Sequence, residues 1–319
     1  MLHLLSAFKE NFAIVEHVMA EALATSEPRV RDLLEDLGSF HGKMLRPALV
    51  ILVARAVGEL LPVHHRLGAA LEMIHTATLI HDDMIDEGET RRGQPTAHVR
   101  YGTSTAVLLG DFFYTHAFHL VASLDDLWVM KHLTRTTNVI CEGELNQMCA
   151  RRDLALSEDE YHRIIYAKTA ALCETACAMG AIEGDERVRA AAAEYGRQIG
   201  IAFQIVDDCL DLSGDPEKVG KTLATDIERG RLTLPFIRML AEADPSERQA
   251  LGERLLSVHS EADVEAVKQL VIERGGVASA MASAKEHVAK ALTQLDGLPE
   301  GEGRDRLAAL AEFIVAREF

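Results

Sequence analysis

The sequence predicts an all-α fold, built as a single-domain helical bundle. Leu, Ala, Glu and Arg are abundant and the 319 residues include only 8 Pro, a composition that favours helices over sheets. Apolar residues make up 48% of the chain, which is ample for a continuous core. Because no low-complexity linker and no repeat of about 20–50 residues interrupts the chain, we expect residues 1–319 to form one domain.

Apolar residues recur at intervals of three and four along most of the chain, which is the spacing of a helix with one buried face. Pro28 occupies the place of a first-turn proline, and we expect Gly38 to end the helix that Pro28 begins. Loops are expected at Pro95–Gly102 and in the polar stretch from Gly214 to Thr233. The predicted helices cover residues 2–24, 28–37, 47–58, 66–87, 104–122, 126–150, 158–179, 186–212, 234–242, 246–257, 262–274, 277–295 and 303–317.

The net charge of −17 argues against nucleic-acid binding, because phosphate backbones reward a basic face. It also argues against strong adhesion to anionic membranes, so any anionic ligand must be held by a local basic cluster or a metal. The N-terminus lacks the pattern of a secretory signal, and no stretch has the apolar length of a membrane span. The five cysteines form no C-x-x-C pair and are interpreted as small core residues of a cytoplasmic protein.

Two acidic motifs of identical spacing carry the chemistry. In each, the first and last carboxylates are four residues apart and share a helix face, with Cβ atoms about 6 Å apart. Carboxylates among apolar neighbours are costly unless a positive group compensates them, and Mg²⁺ suits such ligands when it shares its shell with phosphates. A solvated acidic face would explain one such motif but not two. The motifs are Asp82, Asp83 and Asp86, and Asp207, Asp208 and Asp211.

Basic residues in and beside these motifs complete an anion-binding site. Paired arginines after a turn suit bidentate phosphate binding, although a lone Lys or Arg at a helix start is more often simply solvated. His75 lies seven residues before Asp82 and therefore on the same helix face, where the alternative is a hydrogen-bonded core histidine. We infer two anionic subsites, one bridged by metal and one held by basic side chains. The basic residues are Lys43, Arg46, Arg91, Arg92, Lys168, Lys221 and Arg231.

With these motifs the chain resembles the trans-isoprenyl diphosphate synthases, the polyprenyl synthetase family. The family signature D-D-x-x-D-x-x-x-x-R-R-G is matched from Asp82 to Gly93, and F-Q-x-x-D-D-x-L-D from Phe203 to Asp211. A third motif, G-K-x-x-R-P, is matched from Gly42 to Pro47. Five separated motifs follow the family's order between about residues 38 and 240. The resemblance implies a helical bundle with a central cavity between two aspartate-rich helices, and a homodimer.

The resemblance also implies a role for each matching residue. Asp82, Asp86 and Asp207 would bind Mg²⁺, with Asp83, Asp208 and Asp211 assisting. Arg91, Lys168 and Lys221 would bind the allylic diphosphate, while Lys43, Arg46, His75 and Arg92 would bind isopentenyl diphosphate. Thr169 and Gln204 would face the developing cation. Two departures stand out: Arg231 replaces the usual Lys of the substrate site, and the G-K-P-x-G-x-D loop, here Gly220–Asp226, lacks its Pro and second Gly.

The implied reaction is the head-to-tail, trans condensation of isopentenyl diphosphate with an allylic diphosphate such as geranyl or farnesyl diphosphate. Short-chain members of the family carry a large aromatic residue four or five positions before the first Asp, where this chain has Thr78 and Ala77. The next bulky candidates along the helix are Ile74 and Met73. We therefore expect a product longer than farnesyl diphosphate, of the octaprenyl type.

Two other functions share some of these motifs. A terpene cyclase uses a D-D-x-x-D helix but needs no isopentenyl subsite, so Lys43, Arg46 and His75 argue against it. A non-catalytic subunit of a heteromeric prenyl synthase would generally lack the aspartate motifs, and both are present here.

Overall fold

The all-α prediction is confirmed by the computed structural model, which describes residues 8–37, 44–91, 93–213, 225–256, 258 and 260–316. Among these residues the strands are limited to a short antiparallel pair, β1 (Thr90–Arg91) and β2 (Gln94–Pro95). The helices are α1 Lys9–Ala22, α2 Pro28–Leu37, α3 Leu45–Val57, α4 Pro62–Ile85, α5 Ala97–Tyr101, α6 Thr103–Ala122, α7 Leu127–Cys149, α8 Glu158–Ile165, α9 Ala171–Gly180, α10 Glu186–Ser213, α11 Thr225–Glu228, α12 Leu234–Glu242, α13 Pro245–Leu256, α14 Glu261–Glu273, α15 Gly276–Gln294 and α16 Glu302–Val315. A π-helical turn, Tyr166–Ala170, joins α8 to α9, and a 3₁₀ turn, Leu295–Gly297, follows α15.

The contacts divide the chain into two compact units. The first unit contains the described parts of Met1–Arg135, Thr175–Ala193 and Gly297–Leu307. The second contains the described parts of Thr136–Glu174, Glu194–Asp296 and Ala308–Phe319. Helices α7, α9, α10 and α16 each contribute residues to both units. The single-domain assignment of residues 1–319 stays a prediction.

The first unit is organised around α4, which packs against α1, α3 and α6. This helix is apolar on almost every side and accordingly buried for most of its length. Pro62 occupies its first turn, and the ring of His64 accepts a hydrogen bond from the Leu61 backbone N–H at 2.9 Å. Near the other end, Gly110 on α6 leaves no room for a Cβ beside the His81 ring. This close approach fixes the end of α4 that carries Asp82.

The second unit is held together by helices α8, α10, α12 and α15. Arg238 on α12 donates to Glu158 Oε1 at 2.6 Å, to the Ser279 carbonyl at 2.6 Å and to the Ser283 hydroxyl at 2.8 Å. These three partners lie on α8 and α15, so one guanidinium ties three helices together. The large side chains of Tyr195 and Phe236 are fully buried in this unit.

The predicted and observed elements differ at four places. Helix α4 begins at Pro62, four residues before the predicted start at 66, and the signal was its first-turn proline. Part of the predicted 95–102 loop is the short helix α5, preceded by the β1–β2 hairpin. A π turn interrupts the predicted helix 158–179, and α11 lies in the predicted 214–233 loop. The predictions for Gly38, Lys43, Arg92, Lys221 and most of Gly220–Asp226 fall outside the described residues.

The cysteines were predicted to be core residues, and the prediction is correct for three of them. Cys173, Cys177 and Cys209 are buried, whereas Cys141 and Cys149 are exposed on α7. No helix within the described ranges is long and apolar enough to cross a membrane.

Candidate active site

The first acidic motif lies at the C-terminal end of α4, in the first unit. The Asp86 N–H donates to the Asp82 carbonyl at 2.8 Å, so the helical geometry continues to Asp86 and both carboxylates share one face. Directly afterwards, Glu87 takes a left-handed conformation with φ 52°. The Gly88 N–H then reaches back to the Asp83 carbonyl at 2.8 Å. This is the Schellman arrangement, and it ends the helix directly after the third carboxylate.

Arg91 makes a two-pronged contact with the middle acid of this motif. Its Nε lies 2.7 Å from Asp83 Oδ2, and its Nη2 lies 2.7 Å from Asp83 Oδ1. The hairpin sets this position, because Arg91 pairs with Gln94 in the sheet. The Thr96 hydroxyl then fastens the hairpin base by donating to the Gly88 carbonyl at 2.7 Å. Arg91 thus occupies the carboxylate of Asp83, which lies beside the helix face that carries Asp82 and Asp86.

The acids of this motif keep Arg91 charged. Burial lowers the pKa of Arg91, but the hydrogen bond and charge of Asp83 and the charges of Asp82 and Asp86 outweigh it and raise that pKa above its ordinary value. Arg91 therefore stays charged and offsets part of the negative charge of the motif.

Arg46 and His75 form a second cationic position in the first unit. Arg46 Nη1 lies 3.1 Å from His75 Nε2, and since a guanidinium can only donate, Nε2 accepts and the imidazole proton resides on Nδ1. The buried Arg46 Nε has no hydrogen-bond partner among the described residues. Met44, two residues earlier, is left-handed, with φ 50°. A buried guanidinium nitrogen of this kind can donate to a ligand.

The second acidic motif lies on α10, inside the second unit. Asp207 is half-buried, whereas Asp208 and Asp211 are only 5% and 2% exposed. Asp211 Oδ2 accepts from the Asp226 backbone N–H at 3.2 Å. Asp208 accepts from the Tyr161 hydroxyl and the Gln204 amide, each at 2.7 Å. Two of its three acids are therefore buried and bonded to protein donors.

Burial sets the titration behaviour of Asp208 and its phenol partner. Burial raises the pKa of Asp208 well above its ordinary value, with the Asp226 charge adding to the effect, while hydrogen bonds from Tyr161 and Gln204 oppose it. Burial also raises the pKa of Tyr161 well above its ordinary value, and the charge of Asp208 adds to this. Tyr161 therefore remains a protonated donor.

Lys168 and Thr169 lie in the π turn. Lys168 Nζ lies 2.7 Å from Glu144 Oε1 and 3.1 Å from Gln147 Oε1, both on α7. The neighbouring Thr169 hydroxyl donates to Gln204 Oε1 on α10 at 2.8 Å. The turn thus presents two adjacent residues to two different helices, and π turns of this kind recur at functional sites.

Two glycines make room for the π turn. A Cβ on Gly143 of α7 would lie 2.5 Å from the Ala167 Cβ. A Cβ on Gly200 of α10 would lie 2.5 Å from the Ala170 Cα. Real Cβ atoms do not approach so closely, so at these two positions the backbones of α7 and α10 lie directly against the turn.

A cavity in the second unit brings together several of the predicted residues. Lys168, Gln204, Asp208 and Arg231 all line it, and Arg231 Nη1 lies 3.7 Å from Asp226 Oδ1. Arg151 also lines it, as does Tyr161, and sequence reasoning selected neither. For Arg151 the available signal was the Arg151-Arg152 pair after α7. A lone Tyr on the buried face of an otherwise charged helix gives none. Lys43, Arg92 and Lys221 lie outside the described residues.

The possible ligands for the predicted metal are His, Cys, Asp and Glu side chains. In the part of the chain that the structure describes, no three His, Cys, Asp or Glu side chains form a group that could hold a metal ion by themselves. Mg²⁺ does not require such a cage, because it keeps several waters and binds through one or two carboxylates together with substrate phosphates. In the first unit Asp82 and Asp86 are half-buried, and in the second unit so is Asp207; carboxylates of this kind suit a metal that binds together with a diphosphate.

The predicted chain-length residues follow α4 below the first motif. Met73, Ile74 and Ala77 are fully buried in the first unit. Thr78 is half-buried and, four residues before Asp82, shares its helix face. The Thr78 hydroxyl donates to the His75 carbonyl at 2.7 Å.

Comparison with known proteins identifies the family. The family model described as polyprenyl synthetase matches residues 27–273. An octaprenyl diphosphate synthase of Escherichia coli is 35% identical, over 97% of this chain and 96% of that protein. An all-trans-nonaprenyl-diphosphate synthase of Rhodobacter capsulatus is 33% identical, over 98% and 97%. A crystal structure of a Caulobacter crescentus polyprenyl synthase complexed with calcium and isoprenyl diphosphate superposes with TM-score 0.92 at 34% identity, over 98% of this chain and 97% of that one. The chain therefore belongs to the polyprenyl synthetase family.

Proposed function

We propose that this trans-polyprenyl diphosphate synthase is Mg²⁺-dependent and uses the two acidic motifs as its metal and diphosphate sites. The observation that carries the proposal is that phosphate-binding cations accompany each motif. Arg91 contacts Asp83 in the first unit, and Lys168 and Arg231 line the cavity with Asp208 in the second. Dependence on a divalent metal is general in this family, and the Caulobacter relative carries calcium. Asp82, Asp86 and Asp207 are the proposed Mg²⁺ ligands.

The enzyme condenses isopentenyl diphosphate with an allylic diphosphate to give a polyprenyl diphosphate longer than farnesyl. Its octaprenyl and nonaprenyl relatives support this product class, as do the small residues Ala77 and Thr78. In our proposal Ile74 and Met73 come next along the path of the growing chain.

The allylic diphosphate is bound first by cations of the chain. Bound Mg²⁺ supplies charge neutralisation of the leaving diphosphate. Arg91 offers a planar fork for the phosphate oxygens, and Lys168 exchanges its contact with Glu144 for one with phosphate. Arg231 lines the cavity of the second unit with Lys168, and the resemblance assigns Lys221 to the same substrate. Because the protein holds the diphosphate in this way, the leaving group stays in place while the allylic C–O bond ionises.

The developing allylic cation is faced by neutral oxygens. Thr169 and Gln204 present hydroxyl and amide dipoles in a site lined on one side by Ile164 and Ile165, which exclude water. Isopentenyl diphosphate is held by Arg46 and His75, with Lys43 and Arg92. Its double bond attacks the cation, and the proton then lost goes to the released diphosphate.

The assembly and location of the enzyme are also part of the proposal. We expect a homodimer, because the first unit exposes large apolar side chains: Leu108 is 68% exposed and Leu127 is 65% exposed. A cytoplasmic location agrees with the five cysteines, none of which forms a disulfide among the described residues. Residues 1–319 are proposed to act as one domain.

One assay tests the activity and its metal. The protein is incubated with farnesyl diphosphate, labelled isopentenyl diphosphate and Mg²⁺, and the products are identified by chromatography and mass spectrometry. We expect polyprenyl diphosphates that grow by isoprene units and disappear when EDTA is added. Cyclic hydrocarbons without isopentenyl incorporation would indicate a terpene cyclase, and activity only with an added partner would indicate a subunit of a heteromer. Synthesis that survives chelation would contradict the metal.

A further inference from the structure

A buried chain of hydrogen bonds runs through the second unit from Tyr161 to Thr169. The Tyr161 hydroxyl lies 2.7 Å from Asp208 Oδ2, and Asp208 Oδ1 lies 2.7 Å from Gln204 Nε2. Gln204 Oε1 lies 2.8 Å from the Thr169 hydroxyl. Tyr161, Asp208 and Thr169 are 3%, 5% and 7% exposed, so water does not compete freely for these contacts.

The geometry of this chain gives each group its partner. The Tyr161 hydroxyl donates to one oxygen of Asp208, and the Gln204 amide N–H donates to the other. The amide oxygen of Gln204 therefore faces Thr169 and accepts from its hydroxyl. Tyr161 and Gln204 hold Asp208 from two sides, and Asp208 in turn holds the amide of Gln204.

The same chain orients two oxygens before the reaction. Gln204 Oε1 and Thr169 Oγ1 lie at its end and are held there through Asp208 and Tyr161. Oxygens that are oriented in advance stabilise a cation without reorganising during the reaction.

We propose that Tyr161 is a positioning residue for the allylic cation, acting through Asp208 on Gln204 and Thr169. Asp208 then serves as the anchor of this chain. The inference rests on the proposed function, because it assigns the two oxygens to the cation of that reaction. It differs from the roles inferred above in that it assigns Tyr161 a role and places Asp208 on the protein side of the site.

The primary test is Tyr161→Phe, which removes one hydroxyl and keeps the ring. We expect kcat for condensation of farnesyl and isopentenyl diphosphates to fall roughly tenfold or more, the range seen when a supporting hydrogen bond behind a reacting group is removed. The KM for isopentenyl diphosphate and the Mg²⁺ concentration for half-maximal rate should stay unchanged, because Arg46, His75 and Asp82 are not part of this chain. A merely structural defect would not separate kcat from KM in this way.

A double-mutant cycle tests whether Tyr161 acts through Asp208. We expect Asp208→Asn combined with Tyr161→Phe to be no slower than Asp208→Asn alone, because the acceptor that Tyr161 orients is already changed. Rate losses that multiply would overturn the proposal. The matched control is Tyr101→Phe, which removes a tyrosine hydrogen bond to Asp36 in the first unit and should leave kcat unchanged.

The outcomes separate this inference from the proposed function. A wild-type protein that makes no polyprenyl diphosphate refutes the function. An active wild type with Tyr161→Phe within twofold of its kcat refutes the positioning role alone. Should Tyr161→Phe not fold, as judged by circular dichroism, the cycle between Asp208→Asn and Gln204→Met replaces it, and independent losses there would equally overturn the chain.

Discussion

The two acidic motifs have the same spacing but opposite surroundings. In the first unit, Asp82–Asp86 ends a helix, its three acids are half-buried, and Arg91 compensates it from a hairpin. In the second unit, Asp207–Asp211 lies within α10, and Asp208 and Asp211 are almost wholly buried against protein donors. One motif is compensated by an ion pair and the other by hydrogen bonds.

This difference indicates that two acidic motifs with identical spacing can have different roles. A half-exposed carboxylate can be removed at little cost to folding, because its neighbours turn to water. A buried carboxylate leaves its donors unsatisfied when it is removed. We therefore expect the first motif to serve the reaction almost alone and the second to serve both the reaction and the fold.

The largest expected effect comes from a matched pair of alanine substitutions. Asp82→Ala should lower the condensation rate by roughly 10²–10³-fold or more, as when a preorganised charge-stabilising group is lost, with a smaller loss of stability than Asp211→Ala. Asp211→Ala should lower the free energy of unfolding by about 1–3 kcal/mol, because the Asp226 N–H loses its acceptor. Steady-state kinetics measure the condensation rate, and thermal unfolding measures the stability of each variant. Equal stability losses at both positions would contradict the contrast.

A substitution at Gly143 tests how far the second unit depends on close packing against the π turn. Gly143→Ala places a Cβ 2.5 Å from that of Ala167, and overpacking of this kind costs about 1–3 kcal/mol of stability. We expect kcat to fall with it, since Lys168 and Thr169 shift together. The double variant Gly143→Ala with Ala167→Gly should recover activity. In the first unit, Gly58→Ala meets nothing within 4 Å and serves as the silent control.

Substitutions at Ala77 and Thr78 on α4 test what limits the length of the product. Phe at position 77 or 78 should shorten the product, as read by mass spectrometry of the reaction products. Ala77 is fully buried, so Ala77→Phe should also lower the melting temperature, whereas the half-buried Thr78 should accept Phe at smaller cost. Unchanged products from both variants would place the end of the product path elsewhere.

The smallest expected effect is at the ion pair of the first motif. Arg91→Lys keeps the charge but loses the planar fork, so the KM for the allylic diphosphate should rise by about 1.4- to 5-fold, equivalent to about 0.2–1 kcal/mol. Arg100→Lys is the matched control, because Arg100 makes a similar exposed contact with Asp36 and should leave that KM unchanged. Equal effects of the two variants would argue against a role for Arg91 in binding phosphate.

Most of the helices were predictable because each buries one apolar face, and that face leaves a period in the sequence. The acidic motifs were also predictable, since their spacing repeats. The partners of Asp83, Asp208 and Asp211 were not, because Arg91, Tyr161 and Asp226 reach them only through the fold. The π turn escaped prediction as well, because one extra residue in a buried helix shifts the apolar pattern too little to be recognised.

The π turn also has a consequence for the length of the chain. Compared with a regular helix, the turn holds one additional residue within the same rotation, so the helices before and after it keep the faces that they would have without that residue. Deleting one of Tyr166–Ala170 would therefore restore a regular helix and leave buried Cys173 and Cys177 in the core. The change would be confined to the turn and to the contacts that Lys168 and Thr169 make from it. In an alignment of relatives, this segment should accept a gap of one residue more readily than the helices on either side of it.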